Sequence, residues 1–273
     1  MRVQSVGADP ASPGSKEQSS LRGVSEPAPT VISSDDLLTR AREVISAAAH
    51  DRLPMRLLGG IAVYALAKSA RRAPLARSYR DFDVAVPAKQ GAAASRVLET
   101  AGLVPDRHFN ALHGARRLIF QASEGYPVDV LVGDFVMCHT LEFEDESFRY
   151  ELTISPADLL LTKLQIVRIE PKDLADVAAL LLDVPLDSTG IDPSRFVAPL
   201  RADWGFFHTV ELNLPKVTAF ARATLQADLA KRLAGRVGVL AHAMESAPKS
   251  LAWRLRARVG ERMTWYEMPE ELD

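Results

Sequence analysis

From residue 34 the chain falls into an apolar rhythm. Leu37, Leu38, Ala41, Val44, Ile45 and Ala48 recur at three- and four-residue spacing behind Ser34-Asp35-Asp36. That is the pattern of an amphipathic helix with a polar start, and it predicts a helix to about residue 50. A short apolar run from Met55 to Leu58 is too brief for a helix and stops at Gly59-Gly60, after which IAVYALAKSA carries helical spacing. Strand, glycine turn and helix are predicted there. The polar stretch ARRAPLARSYR contains Pro74 and reads as a loop into the strand DFDVAV, which ends at Pro87. A helix over about 90–101 follows, then LVPDRH, RRLIFQA and YPVDVLV, three short runs between turn-forming residues, predicted as further strands of one mixed sheet. Ser155-Pro156 opens a helix with Leu159, Leu160, Leu164 and Val167 on one side, and Pro171 opens another through about residue 183. Beyond that point the pattern is helical throughout.

The rhythm therefore predicts an α/β (α+β) chain in three parts. Residues 1–33, rich in Ser, Pro, Gly and Ala, are expected to be a disordered tail because they bury too little to offset the entropy of ordering. Residues 34–154 form a core of mixed sheet and flanking helices, and residues 155–273 an all-helical C-terminal domain. With 273 residues, 47% of them hydrophobic, a sizeable core is within reach. A formal charge of -2 leaves no global basic footprint for nucleic acid. A single cysteine, Cys138, excludes an internal disulfide; it fits a reducing compartment and reads as a core thiol. No stretch is long and apolar enough to span a bilayer, and no signal-peptide pattern opens the chain, so no membrane partner and a cytoplasmic location are expected. No zinc-ligand spacing, GxGxxG, Walker A or GxSxG pattern occurs.

Candidate chemistry lies in three acids and two glycines. Asp81 and Asp83 stand at i and i+2 of a predicted strand, so both carboxylates leave one face. Asp129, inside YPVDVLV, adds a third from another strand. Clustered carboxylates of this kind suit Mg²⁺, a hard cation that takes oxygen ligands, and two such ions can neutralise a triphosphate during transfer to a hydroxyl. Gly59-Gly60, lacking Cβ atoms, lets backbone approach phosphate oxygens ahead of a helix N-terminus. Simpler roles remain open: a tight turn for the glycines, and the solvent face of an edge strand for Asp81 and Asp83. Asp129 argues against the second, because an unpaired carboxylate within an apolar run is costly to bury. Lys163 on its residues alone is a lysine whose stem packs while its amine reaches water. Asp173 and Asp176 are acids near a helix start, where they complement its dipole.

These residues resemble the polymerase β-like nucleotidyltransferase superfamily, whose pattern is a Gly-Gly or Gly-Ser turn, an Asp-x-Asp and a later acid. Over about residues 55–180 the chain looks more narrowly like the AbiEii-type nucleotidyltransferases. Arg77, Tyr79, Asp81 and Asp83 fall in register with an Arg-x-Thr-x-Asp-x-Asp element, with Tyr79 in place of Thr, and Lys163 followed by Lys172-Asp173-Leu174-Ala175-Asp176 matches a later helical element. The resemblance implies that Asp81, Asp83 and Asp129 bind Mg²⁺, that Asp129 activates the acceptor hydroxyl, and that Gly59, Gly60, Arg77 and Lys163 hold the NTP. Lys172, Asp173 and Asp176 would support the site. It also implies a toxin-like role with tRNA or another cellular component as acceptor, and an antitoxin partner. Between Lys216 and Arg262 there are ten Lys or Arg against three acids. Arg254, Arg256 and Arg258 with Trp253 would offer an RNA acceptor phosphate contacts and a stacking face. The alternatives are a small-molecule acceptor, as in the aminoglycoside-modifying members, and a catalytically silent relative that binds a nucleotide or partner.

Overall fold

Five strands make the central sheet: β1 (Arg56–Leu58), β2 (Phe82–Val86), β3 (Val104–Pro105), β4 (Arg117–Gln121) and β5 (Pro127–Val132). A computed structural model describes residues 32–268, so the expected tail lies outside the described residues except for its last two. The strand order is β1-β2-β5-β4-β3, with β2 and β5 parallel and the other pairs antiparallel. The expected α/β class, mixed sheet and helical C-terminal region are what the chain adopts. Period-two alternation divides the residues of the sheet: Phe82, Val84, Val86, Leu118, Phe120, Val128, Val130 and Val132 are buried on one face. Two helices, α1 (Ser34–His50) and α3 (Gly91–Thr100), lie against that face, each turning its apolar stripe inward. Arg117, Ile119, Asp129 and Leu131 share the opposite face and are only half-buried.

Local chemistry moves several boundaries away from the sequence expectation. The helix after the glycine turn, α2 (Gly59–Leu66), starts on the glycines themselves and stops early, giving way to a 3-10 turn over Lys68–Arg71. The Asp183 carboxylate caps that turn, accepting from Ser69 N at 2.5 Å and Ser69 Oγ at 3.1 Å. LVPDRH is a strand for two residues only, because Asp106 accepts from Phe109 N at 2.9 Å and starts helix α4 (Arg107–His113). A two-stranded hairpin, β6 (Phe135–Val136) with β7 (Thr140–Leu141), then leads to the helical part.

That part comprises α5 (Pro156–Leu164), α6 (Pro171–Asp183), α7 (Pro193–Leu200), α8 (Trp204–Thr224), α9 (Ala227–Ser246) and α10 (Leu251–Val259). Ser155 caps α5, accepting from Asp158 N at 3.1 Å. Val167 falls beyond the end of α5, where Asn213 Nδ2 donates to the Leu164 and Ile166 carbonyls at 2.9 Å each and satisfies the groups a longer helix would have used. Helix α6 is buried from Val177 to Leu182 and packs on α2, α5, α8 and α9. One apolar cluster runs from Leu37 through Phe82 and Val130 to Leu180, Phe206 and Leu240. Burial of each such large side chain stabilises the fold by roughly 1.5–3 kcal/mol. No helix among the described residues is long and apolar enough to cross a membrane.

The aromatic run of residues 204–209 ties this helical part to the hairpin. Phe206 stacks on His139, with centroids 5.1 Å apart and planes at 3°, and buried Cys138 stands next to that histidine. Thr209 Oγ1 lies 2.8 Å from His139 Nε2 and accepts from Trp265 Nε1 at 3.2 Å. Burial pushes His139 down from 6.5 to about 4, against a small opposing pull from Asp203. An unfolded chain takes up this proton below about pH 6.5 and the folded one does not. His139 therefore destabilises the fold as the pH falls from 6.5 to 4, by about 3 kcal/mol at full extent. The loss of stability from pH 7 to pH 4.5, measured by urea unfolding, is expected to be smaller in His139→Gln than in the wild type; equal losses would show that His139 titrates normally in the fold.

Candidate active site

The parallel pairing of β2 with β5 places Asp83 directly beside Asp129 in register, while antiparallel β1 sets Leu58 opposite Asp83. Both carboxylates belong to the half-buried face, at the point where β1 ends and α2 begins. Gly59, with φ at +69°, makes that junction, and its Cα faces the Asp83 carboxylate so closely that any side chain would overlap Oδ2. Glycine is thus required here twice, for backbone conformation and for room. Asp81 precedes β2 and is exposed.

The Asp83 carboxylate has no hydrogen bond and no ion pair among those described. Removal from water, then the charges of Asp81 and Asp129, push it up to about 7, against the pull of Lys163 and Arg117. Asp129 is held differently. Arg117, from β4, donates Nε to Oδ1 at 2.9 Å and Nη2 to Oδ2 at 3.1 Å, a two-pronged ion pair that takes both carboxylate oxygens. The guanidinium also lies 5.6 Å from the Phe109 ring centroid of α4. No group of three or more His, Cys, Asp or Glu among the described residues is gathered closely enough to hold a metal ion.

A second cluster lies behind the glycine pair. A Cβ on Gly60 would sit 2.8 Å from Arg77 Nη2 and against the Tyr79 ring, so the missing side chain lets Arg77 and Tyr79 pack beneath α2. Arg77 donates Nε to Asp176 Oδ1 at 3.1 Å and Nη2 to Oδ2 at 2.8 Å, and its guanidinium stacks 4.0 Å from the Tyr79 ring. The Tyr79 hydroxyl donates to Asp176 Oδ1 at 3.4 Å. Lys163 Nζ reaches Asp173 Oδ1 at 3.1 Å and Asp176 Oδ2 at 3.0 Å. Burial alone would depress the Lys163 amine; Asp176 and Asp173 outweigh it and hold the amine above its ordinary value. Two cations and two anions balance here, with Arg77 half-buried and the Asp176 side chain only 2% exposed.

Sequence-expected residues thus separate into three groups. Gly59, Asp83 and Asp129 meet on the sheet face, while Gly60, Arg77, Lys163, Asp173 and Asp176 meet behind it. Asp173 and Asp176 are ion-pair partners, not merely acids at a helix start. Lys172 joins neither cluster: it is exposed and pairs with Glu170 at 2.7 Å. Arg117 was not singled out from sequence. Its place two residues before Ile119 marks the half-exposed face, but only strand register shows that Asp129 lies within its reach.

Five of the ten basic residues between Lys216 and Arg262 are engaged within the chain, Lys216 with Asn213 at 2.9 Å among them. Arg232 Nη2 donates to the Leu182 carbonyl at 2.6 Å and Arg236 to that of Val184, closing the end of α6. Lys249 donates to carbonyls at the end of α9, including Ala247 O at 2.8 Å. Arg256 donates to Gly260 O at 2.7 Å and lies over the Trp204 ring. Trp253 packs edge-on to Phe207 at 5.2 Å, with its Nε1 buried.

No family model matches the chain, and no curated protein matches it. Among solved structures, it is similar to the lincosamide antibiotic adenylyltransferase LnuA in its lincomycin-bound form, with 17% identity over 51% of this chain and 92% of that one and a TM-score of 0.38. It is similar to the antibiotic-resistance factor ANT(2'')-Ia at 14% identity, covering 78% of this chain and 96% of that one, with a TM-score of 0.37. An antigenic nucleotidyltransferase-like protein from Paracoccidioides brasiliensis shows 14% identity over 81% of this chain and 97% of that one, with a TM-score of 0.41.

Removing one charge from a balanced buried group strands its partners. Asp176→Asn, nearly isosteric, leaves Arg77 and Lys163 under-compensated and is expected to lower stability by about 3 kcal/mol. Urea unfolding checks this, and a change below about 0.5 kcal/mol would show that the cluster contributes no stability.

Proposed function

We propose that this protein transfers a nucleoside monophosphate from an NTP to a hydroxyl acceptor with release of pyrophosphate, in a reaction that depends on Mg²⁺. The observation that carries this reading is the pair Asp83 and Asp129, side by side on parallel strands, with the Gly59 backbone against one of them. Asp83 fits a hard cation: its carboxylate is drawn out of water, unpaired and crowded by two other acids, and a divalent ion would offset that charge. Asp81, exposed just before the same strand, would share the ion. Bound there, Mg²⁺ would offset charge on the phosphates and on the leaving pyrophosphate. A second ion of the expected pair would need Asp129.

In this reading the acceptor oxygen attacks the α-phosphorus, the bond to the bridging oxygen breaks, and Asp129 takes the hydroxyl proton. The N-terminus of α2, free of side chains at Gly59 and Gly60, offers its N–H groups to phosphate oxygens. Arg77 and Lys163 act through the buried cluster, fixing that turn against the sheet.

The AbiEii-type reading, with its toxin-like role and antitoxin partner, is supported by the convergence of Arg77, Lys163, Asp173 and Asp176, which lie far apart in sequence. A tRNA acceptor would use Arg254 and Arg258 as the remaining cations of α10. A second reading, transfer to a small hydroxyl-bearing molecule, is favoured by the internal use of Arg232, Arg236, Lys249 and Arg256.

The test is label transfer from each of the four α-labelled NTPs, with Mg²⁺, into total RNA and into a panel of amino-hydroxyl small molecules. Wild type is expected to transfer label and Asp83→Asn to transfer about a hundredfold less or lower still. Label in a tRNA-sized band would select the RNA acceptor, and label in a small molecule the second reading. Equal transfer by wild type and Asp83→Asn would overturn the assignment of the site.

A further inference from the structure

Arg117 has a geometry that nucleotidyl transfer alone does not explain. It grips the carboxylate that the reaction would need free, using two donors at 2.9 and 3.1 Å. It does so from the half-buried sheet face, where its side chain is 43% exposed and that of Asp129 is 26% exposed. It also lies over the Phe109 ring, itself packed at a tilt against His113 with centroids 4.6 Å apart. The guanidinium therefore lies at an open edge of the site, held by one carboxylate and able to swing toward solvent without disturbing the core. Both oxygens of Asp129 are engaged in this pairing, and among the described residues the three acids are not gathered closely enough to hold a cation.

We propose that Arg117 is a positioning residue that latches Asp129 until an NTP arrives, then exchanges the carboxylate for a phosphate, so that the full cation site assembles only with the nucleotide present. The inference rests on the nucleotidyl-transfer reading above. Its chemistry is an exchange of like partners. A guanidinium fork matches a phosphate as well as it matches a carboxylate, and the incoming polyanion offers more charge than Asp129 alone. Cation and nucleotide are thereby coupled, each favouring the arrangement the other needs. Without nucleotide the site holds a cation only through Asp81 and Asp83.

Manganese is the probe, read as free Mn²⁺ by electron paramagnetic resonance during titration of the full chain without nucleotide. Arg117→Gln is expected to bind Mn²⁺ about tenfold tighter than wild type, because Asp129 is released. Removing a positive charge would itself favour a cation, so the deciding variant is Arg117→Gln with Asp129→Asn, in which the gain must vanish. In the wild-type background Asp129→Asn alone is expected to change affinity little. A non-hydrolysable NTP analogue should tighten Mn²⁺ binding in wild type more than in Arg117→Gln. A gain that survives in the double variant, or no gain at all, overturns the latch while Asp83-dependent binding keeps the broader reading. If neither wild type nor Arg117→Gln binds Mn²⁺, or if binding ignores Asp83→Asn, the metal-dependent reading falls and the latch with it.

Discussion

Much of the candidate site depends on one buried exchange of charge, in which Asp176 meets both Arg77 and Lys163 while Asp173 steadies the lysine. Taking any of these groups out of water alone would cost several kcal/mol, and the four are tolerated together because each is answered at close range. The pairing also sets geometry. Arg77 comes from the loop before β2, Lys163 from α5, and the two acids from α6, so a single neutral cluster fixes three segments that are remote in sequence. Tyr79 adds to the same point with its ring against Arg77 and its hydroxyl on Asp176.

From that cluster the constraints pass forward to the sheet. Gly60 has no side chain because Arg77 and Tyr79 occupy the space one would fill, and Gly59 has none because the Asp83 carboxylate does. The two glycines are thus wedged between a neutral charge cluster on one side and an uncompensated acid on the other. Balanced charge behind and unbalanced charge in front is an arrangement suited to a site that waits for a cation. Arg117 tempers it on the far side by holding Asp129.

Periodicity made a large part of this legible. Alternation in YPVDVLV and DFDVAV placed both strands and the face of Asp83 and Asp129, although Asp81 falls just before β2 and not within it; Ser155-Pro156 and Pro171 marked helix starts that the structure keeps. What could not be read was whatever depends on a partner far along the chain. Lys163 is in sequence a lysine near an apolar stripe, and only the packing of α5 on α6 delivers it to Asp173 and Asp176. Arg117 required the register of β4 on β5. Smaller differences arose where a local cap outcompeted a weak pattern, as at Asp106, which turns an expected strand into α4. The basic C-terminal stretch misled differently: charge counted along the chain includes Arg232 and Arg236, which complete the end of α6, and Arg256, folded onto Trp204 and nearby carbonyls.

The ends of the sheet carry a last consequence. At one edge β3 is two residues long and includes Pro105, which has no N–H to offer; at the other, Leu57 of β1 already exchanges backbone hydrogen bonds with Leu152 and Ile154. Unpaired strand edges invite other chains to add on. With one edge too short and the other covered, the half-open surface around Asp129 and Arg117 is not prolonged by a recruiting seam, and it can stay exposed to small solutes without the sheet growing by association.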